Sequence, residues 1–129
     1  MNPPTLLLID DDIPMIQMLR EALEMEGYRV ITGFDGQMAL QMACTYKPNL
    51  IIMDVNMPMT NGLKALEFLR NIPDTARIPI IFVSGETSSS IYPAIESAQR
   101  VAFIKKPVEI DDLLSMTHQF LQQYQPQVL

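Results

Sequence analysis

Five short apolar runs, each followed by a segment of helical length, set the tightest limit on how this chain folds. Thr5 to Ile9, Arg29 to Thr32, Asn49 to Met53, Pro79 to Ser84 and Val101 to Ile104 read as strands. Several are apolar at successive positions rather than alternate ones, which suits strands covered on both faces. Helical patterns lie between them. The last is the clearest, with Ile110, Leu113, Leu114, Thr117, Leu121 and Tyr124 at the i, i+3, i+4, i+7 spacing of one buried stripe. The first begins near Pro14, because a first helical turn has N–H groups without intrahelical partners and tolerates proline, and it ends at Gly27. Ala39, Leu40, Ala43 and Cys44 carry the second, which stops before Pro48; Leu63, Leu66 and Leu69 carry the third, which stops before Pro73. Strand and helix alternate five times. This predicts an α/β fold with a doubly wound, five-stranded parallel sheet, right-handed crossovers and helices on both faces.

Open sheets of this kind bind ligands at the carboxyl ends of their strands. Asp10 and Asp11 follow the first strand, Asp54 ends the third in LIIMD, Ser84 ends the fourth in IIFVSG, and Lys106 follows the fifth in FIKKP. Parallel strands gather all five at one edge. Three carboxylates in one depression repel, and each has a raised pKa unless a positive charge neutralises it. A hard divalent cation with oxygen ligands is the economical answer, and Mg2+ uses one or two carboxylates while keeping several waters. A carboxylate beside Mg2+, a lysine and a hydroxyl suits a phosphoryl group, whose equatorial charge those groups stabilise. Asp54 is the expected nucleophile, forming an acyl phosphate.

Composition narrows the classes further. A chain of 129 residues is about one domain, expected to span 1–129 with a core at about 5–124 and a frayed tail at 125–129. The formal net charge of -6 argues against a nucleic-acid surface, which needs clustered Lys and Arg. Cys44 is the single cysteine, so an internal disulfide framework and a thiolate metal cluster are excluded. No stretch approaches the roughly 20 apolar residues of a membrane span, and Met1 to Thr5 lacks the regions of a secretory signal. The cytoplasm is the simplest location.

Four blocks in order, LLLIDDD, LIIMDVNMPMTNG, IIFVSGE and FIKKP, resemble the receiver domains of two-component response regulators, over roughly Thr5 to Tyr124. The resemblance implies a flavodoxin-like fold with strand order 2-1-3-4-5. It makes Asp54 the phosphoacceptor, and Asp10 and Asp11 the acidic pair, with Asp11 a direct Mg2+ ligand and Asp10 acting through water. The backbone carbonyl of Asn56 takes the place of the third protein ligand, and Mn2+ is a candidate substitute for Mg2+. Ser84 holds the switch-hydroxyl position, Lys106 the lysine position before Pro107, and Phe103 the switch-aromatic position. Asn56 and Glu86 occupy the two positions that border the hydrolytic water and help set phosphate lifetime, a pairing similar to the chemotaxis-type regulator. Pro58 fixes a dihedral in the loop beyond the acceptor, and Gly62 is expected to supply a turn conformation other residues resist.

The implied partners are a histidine kinase or phosphotransfer protein and an output protein or domain. A homodimer through the face of the fourth helix, fifth strand and fifth helix is a further candidate. That face departs from the family pattern. SSSIYP places Pro93 where the first half of the fourth helix usually lies, an interior cost of about 3 kcal/mol, so that helix is expected to be short or to start late. Gln99-Arg100-Val101 replaces the small Gly-Ala pair common before the fifth strand.

Several residues carry simpler readings. Asp12 is a helix cap, Cys44 a small core residue, His118 a surface residue, and the ten methionines are adaptable packing. Two other functions fit the architecture. An unphosphorylated receiver-like interaction module would not need the intact acidic pair, acceptor and lysine. A flavodoxin-like cofactor binder would need a phosphate-cradling loop after the first strand, where this chain places anions. No separate substrate pocket or general base marks a conventional enzyme; the expected chemistry is the protein's own phosphotransfer and dephosphorylation.

Overall fold

The computed structural model describes residues 2–57, 59–85 and 98–124. Five strands, β1 (Thr5–Ile9), β2 (Arg29–Gly33), β3 (Leu50–Met53), β4 (Ile80–Ser84) and β5 (Val101–Lys105), form one sheet in the order β2-β1-β3-β4-β5. Every neighbouring pair is parallel. Three helices are α1 (Ile13–Met25), α2 (Gly36–Tyr46) and α3 (Gly62–Arg70); the C-terminal helix spans Ile110–Gln123. The strand order and parallel pairing are those expected from the sequence, with strand ends displaced by one residue. The expectation for the fourth helix falls on residues 86–97, and that for the tail on 125–129, outside the described residues.

Successive residues of each inner strand point to opposite faces, and both faces are covered. Leu7, Ile9, Ile51, Met53, Ile80 and Phe82 pack with Ala39 and Ala43 of α2 and with Ala65, Leu66 and Leu69 of α3. Leu6, Leu8, Leu50, Ile52, Ile81 and Val83 pack with Ile16, Leu19 and Leu23 of α1 and with Leu113 of the C-terminal helix. This is why the strands read as unbroken apolar runs. Burying each large aliphatic side chain contributes roughly 1.5–3 kcal/mol relative to leaving it in water. The register of every strand, and hence the position of whatever follows it, is thereby fixed.

Local signals begin and end the helices. The Asp12 carboxylate accepts from the Met15 N–H at 3.2 Å, Asp35 from Met38 at 2.8 Å and Asn61 from Lys64 at 2.8 Å, so the starts of α1, α2 and α3 each have a donor satisfied by the cap. Pro14 sits in the first turn of α1. Gly27, at φ +93°, turns the chain out of that helix in the left-handed conformation that glycine adopts most readily. One expectation fails on α2. Cys44 is exposed, not core, because the buried line of this helix runs through Gly36, Ala39 and Ala43. One residue beyond Ala43 is about 100° further round the helix. His118 is exposed, as expected.

Candidate functional site

Three of the polar residues singled out in the sequence lie one step beyond a strand end yet still bond to a neighbouring strand. The Asp10 N–H donates to the Gly33 carbonyl at 3.2 Å, the Asp54 N–H to the Ile9 carbonyl at 3.1 Å, and the Lys106 N–H to the Ser84 carbonyl at 2.9 Å. The ladder therefore sets their backbones at the carboxyl edge of the sheet. Ser84, the last residue of β4, shares that edge and is buried.

The side chains converge across these strands. Lys106 Nζ lies 2.9 Å from Asp54 Oδ2 and 3.1 Å from Asp10 Oδ2. Asp10 and Asp54 are 1% and 6% exposed, so both charges have left most of their water and depend on what faces them. Asp11 is exposed. One carboxylate oxygen from each of Asp10, Asp11 and Asp54 lies within 4.8 Å of the others.

The second oxygens are held by backbone. Asp10 Oδ1 accepts from the Asp12 N–H at 3.0 Å, and Asp54 Oδ1 accepts from the Asn56 N–H at 3.1 Å. Burial pushes the pKa of Asp10 above its ordinary value, and the neighbouring Asp54 charge adds to this, against the opposing pull of the Asp12 amide and Lys106. For Lys106, burial alone would lower the pKa. Its hydrogen bond to Asp54 and its attraction to both carboxylates outweigh that and leave it raised.

The arrangement fits a hard divalent cation. Among the described residues, buried Asp10 Oδ2 has no aligned hydrogen-bond donor, its contact with Lys106 being an ion pair. Three carboxylates against one lysine leave a local excess of negative charge. Oxygen donors at this spacing suit Mg2+ better than softer metals.

The loop after Asp54 is held close by two glycines, for a reason the sequence reading did not give. Gly62 does not take a positive φ; among the described glycines only Gly27 does. It opens α3, and a Cβ there would come within 2.6 Å of the Asp54 carbonyl oxygen and 2.8 Å of Phe82 Cε1. The requirement is space, not a left-handed turn. Gly36 is a residue the sequence reading missed: a Cβ at that position would collide with the Thr60 carbonyl. The only sequence signal was the Asp35-Gly36 helix start. Phe103 lies within β5 opposite Phe82, partly buried and packed against the cluster on the α2 and α3 side. Glu86 and Pro58 lie outside the described residues.

Comparison with known proteins gives this edge its context. A family model described as the response regulator receiver domain matches residues 6–118. The chain belongs to the receiver domain family of two-component response regulators. It is 25% identical over 119 residues to the polar-differentiation response regulator DivK of Brucella anthropi, covering 92% of this chain and 97% of that one. It is 30% identical over 122 residues to the response regulator MprA of Mycobacterium avium, covering 95% of this chain. The receiver spans about half of that relative, 53% of its length. Among solved structures, the chemotaxis response regulator CheY4 of Vibrio cholerae superposes with a TM-score of 0.84 at 29% identity, over 92% of this chain and 99% of that one. Among the described residues of this receiver, no helix is long and apolar enough to cross a membrane.

Proposed function

We propose that this receiver is a phosphorylation-dependent switch in which Asp54 takes a phosphoryl group from the phosphohistidine of a histidine kinase or phosphotransfer protein. The observation that carries this reading is the Lys106 ammonium between Asp54 and Asp10 at the edge where Asp11 and Ser84 also lie. An Asp54 carboxylate oxygen attacks phosphorus, an O–P bond forms, and the P–N bond breaks with its electron pair returning to the donor imidazole. Each Asp54 oxygen accepts one bond and keeps a second lone pair for this attack.

The chain's own groups have separate tasks. Lys106 stands beside the equatorial oxygens on which charge builds, and the Asn56 N–H orients the carboxylate. Ser84 and Phe103 relay the change, the first through its hydroxyl and the second by repacking. Asn56 and Glu86 border the path of the water that ends the signal. Asp11, Asp54, the Asn56 carbonyl and, through water, Asp10 would hold Mg2+, with Mn2+ as a substitute. Bound there, the ion would supply Lewis-acid neutralisation of the transferring group.

The output surface is the face of β5 and the C-terminal helix together with the segment before β5, offered to a partner, an attached domain or a second copy. The protein works in the cytoplasm, and its catalysis is confined to its own phosphorylation and dephosphorylation. The assembled carboxylates and lysine favour this over an unphosphorylated interaction module, which needs none of them. Incubation with acetyl phosphate and Mg2+, followed by intact mass measurement, tests it. One added phosphoryl group that disappears with a chelator is the expected result. No mass gain, or a gain unaffected by chelation, contradicts it.

A further inference from the structure

At the opposite edge of the sheet, where β4 and β5 begin, a cleft of about 310 Å3 is lined by Leu66, Arg70, Ala76, Arg77, Ala98 and Arg100. Three arginines lining one small cleft are unexpected in this chain, which has 15 acidic residues for 9 Lys and Arg. Carboxylates are abundant enough to pair all three. Among the described residues none of the three makes an ion pair.

The side chains of Arg70 and Arg100 are placed by the fold. Arg70, in the last turn of α3, donates from one terminal nitrogen to the Ile78 carbonyl at 2.8 Å and from the other to the Gln99 carbonyl at 3.1 Å. It braces the two segments that lead into β4 and β5. Arg100 donates to the Arg77 carbonyl at 3.5 Å, and its guanidinium carbon lies 4.8 Å from the centre of the Tyr124 ring. Its backbone is left-handed at φ +60°, at the point where the family pattern has small residues. Arg77 is exposed. Burial lowers the pKa of Arg70, and the charge of Arg100 lowers it further, as expected of cations held near one another without a counter-charge.

We propose that this cleft is a second ligand site, one that binds the phosphate group of free inorganic phosphate or of a small phosphate ester. Guanidinium groups match phosphate oxygens with paired, charge-assisted hydrogen bonds. Leu66, Ala76 and Ala98 add apolar surface to the cleft, beside which such contacts are screened less than in bulk water. Its volume is at the small end of ligand pockets, which run from about 300 to 1,000 Å3, so the ligand is compact. The acidic edge repels phosphate unless a cation is present, and the two sites are thereby separable. Because Arg100 also stacks on Tyr124, an anion held there reaches the last turn of the C-terminal helix.

The test is a titration of the full chain followed by backbone amide resonances, in magnesium-free buffer with chelator, using inorganic phosphate, AMP and adenosine. Saturable shifts at Ala76, Arg77, Ala98 and Arg100 with either anion, and none with adenosine, are expected. Phosphate alone against AMP separates the free ion from an ester as source. Arg77→Gln and Arg100→Gln should each weaken binding about tenfold, the loss of one charge-assisted contact. Arg77 is exposed, so its variant decides the matter even if Arg100→Gln fails to fold. Shifts that do not saturate, that adenosine reproduces, or that Arg77→Gln leaves unchanged would overturn the proposal.

Discussion

Lys106 Nζ hydrogen-bonds Asp54 Oδ2 at 2.9 Å although 52 residues separate them in the chain. The same nitrogen pairs with Asp10, so one cation compensates two buried anions. Lys106→Met removes it and leaves both carboxylates facing each other. Breaking a fully buried pair costs about 3–5 kcal/mol; the lysine side chain is 24% exposed, and screening reduces the expected loss to about 1–3 kcal/mol at pH 7. Urea denaturation measures it. The pKa of Lys106 is raised above its ordinary 10.5, so its stabilisation is complete below that value and is lost as pH rises through the folded-state pKa. The gap between parent and variant therefore closes in strongly alkaline buffer.

Asp10 has the opposite sign at neutral pH. Its folded-state pKa is raised above 3.8 by burial first, then by Asp54. Favourable linkage from its protonated form is complete below 3.8 and is lost as pH rises through the raised value, so the ionised group costs stability at pH 7. Asp10→Asn should melt at a higher temperature than the parent without divalent cations. It should also gain less stability from added Mg2+, because one of the three gathered carboxylates is gone. Calorimetry with and without Mg2+ checks both; a lower melting temperature in chelator would be the contrary result.

Gly62→Ala should disturb the loop after Asp54 without touching a charge. The new methyl meets the Asp54 carbonyl and the Val55 Cα as well as the Phe82 ring, and backbone cannot yield as a flexible side chain can. Overpacking of this kind costs about 1–3 kcal/mol. Amide shifts concentrated at Asp54 and Val55, with a lowered urea midpoint, are the expected signature.

Thr117 lies fully buried on the C-terminal helix, and its hydroxyl has no hydrogen-bond partner among the described residues. Thr117→Val keeps the shape and removes the stranded polar group, and should stabilise the protein by about 1 kcal/mol. A urea midpoint no higher than that of the parent would mean the hydroxyl finds a partner in solution.

The sheet was legible because β1, β3 and β4 are buried on both faces and advertise this as continuous apolar runs. The convergence of Asp10, Asp54 and Lys106 followed from strand direction alone, since each residue stands at the carboxyl end of a parallel strand. What the sequence concealed is packing. Cys44 and Ala43 are neighbours in one apolar pattern, yet the helix turns one outward and the other inward. Gly62 looked like a turn residue, whereas its value is the missing methyl beside Asp54. Arg70, Arg77 and Arg100 carry no shared motif, because α3 and the strand starts bring them together only in three dimensions.

Site-resolved trapping of the acyl phosphate tests the central claim most directly. After treatment with acetyl phosphate and Mg2+, borohydride reduces an aspartyl phosphate to homoserine, which tandem mass spectrometry of peptides can locate. Conversion is expected at residue 54 alone, absent in Asp54→Asn and absent in chelator. Conversion at Asp10 or Asp11, or none at residue 54 while another residue carries the phosphoryl group, would contradict it.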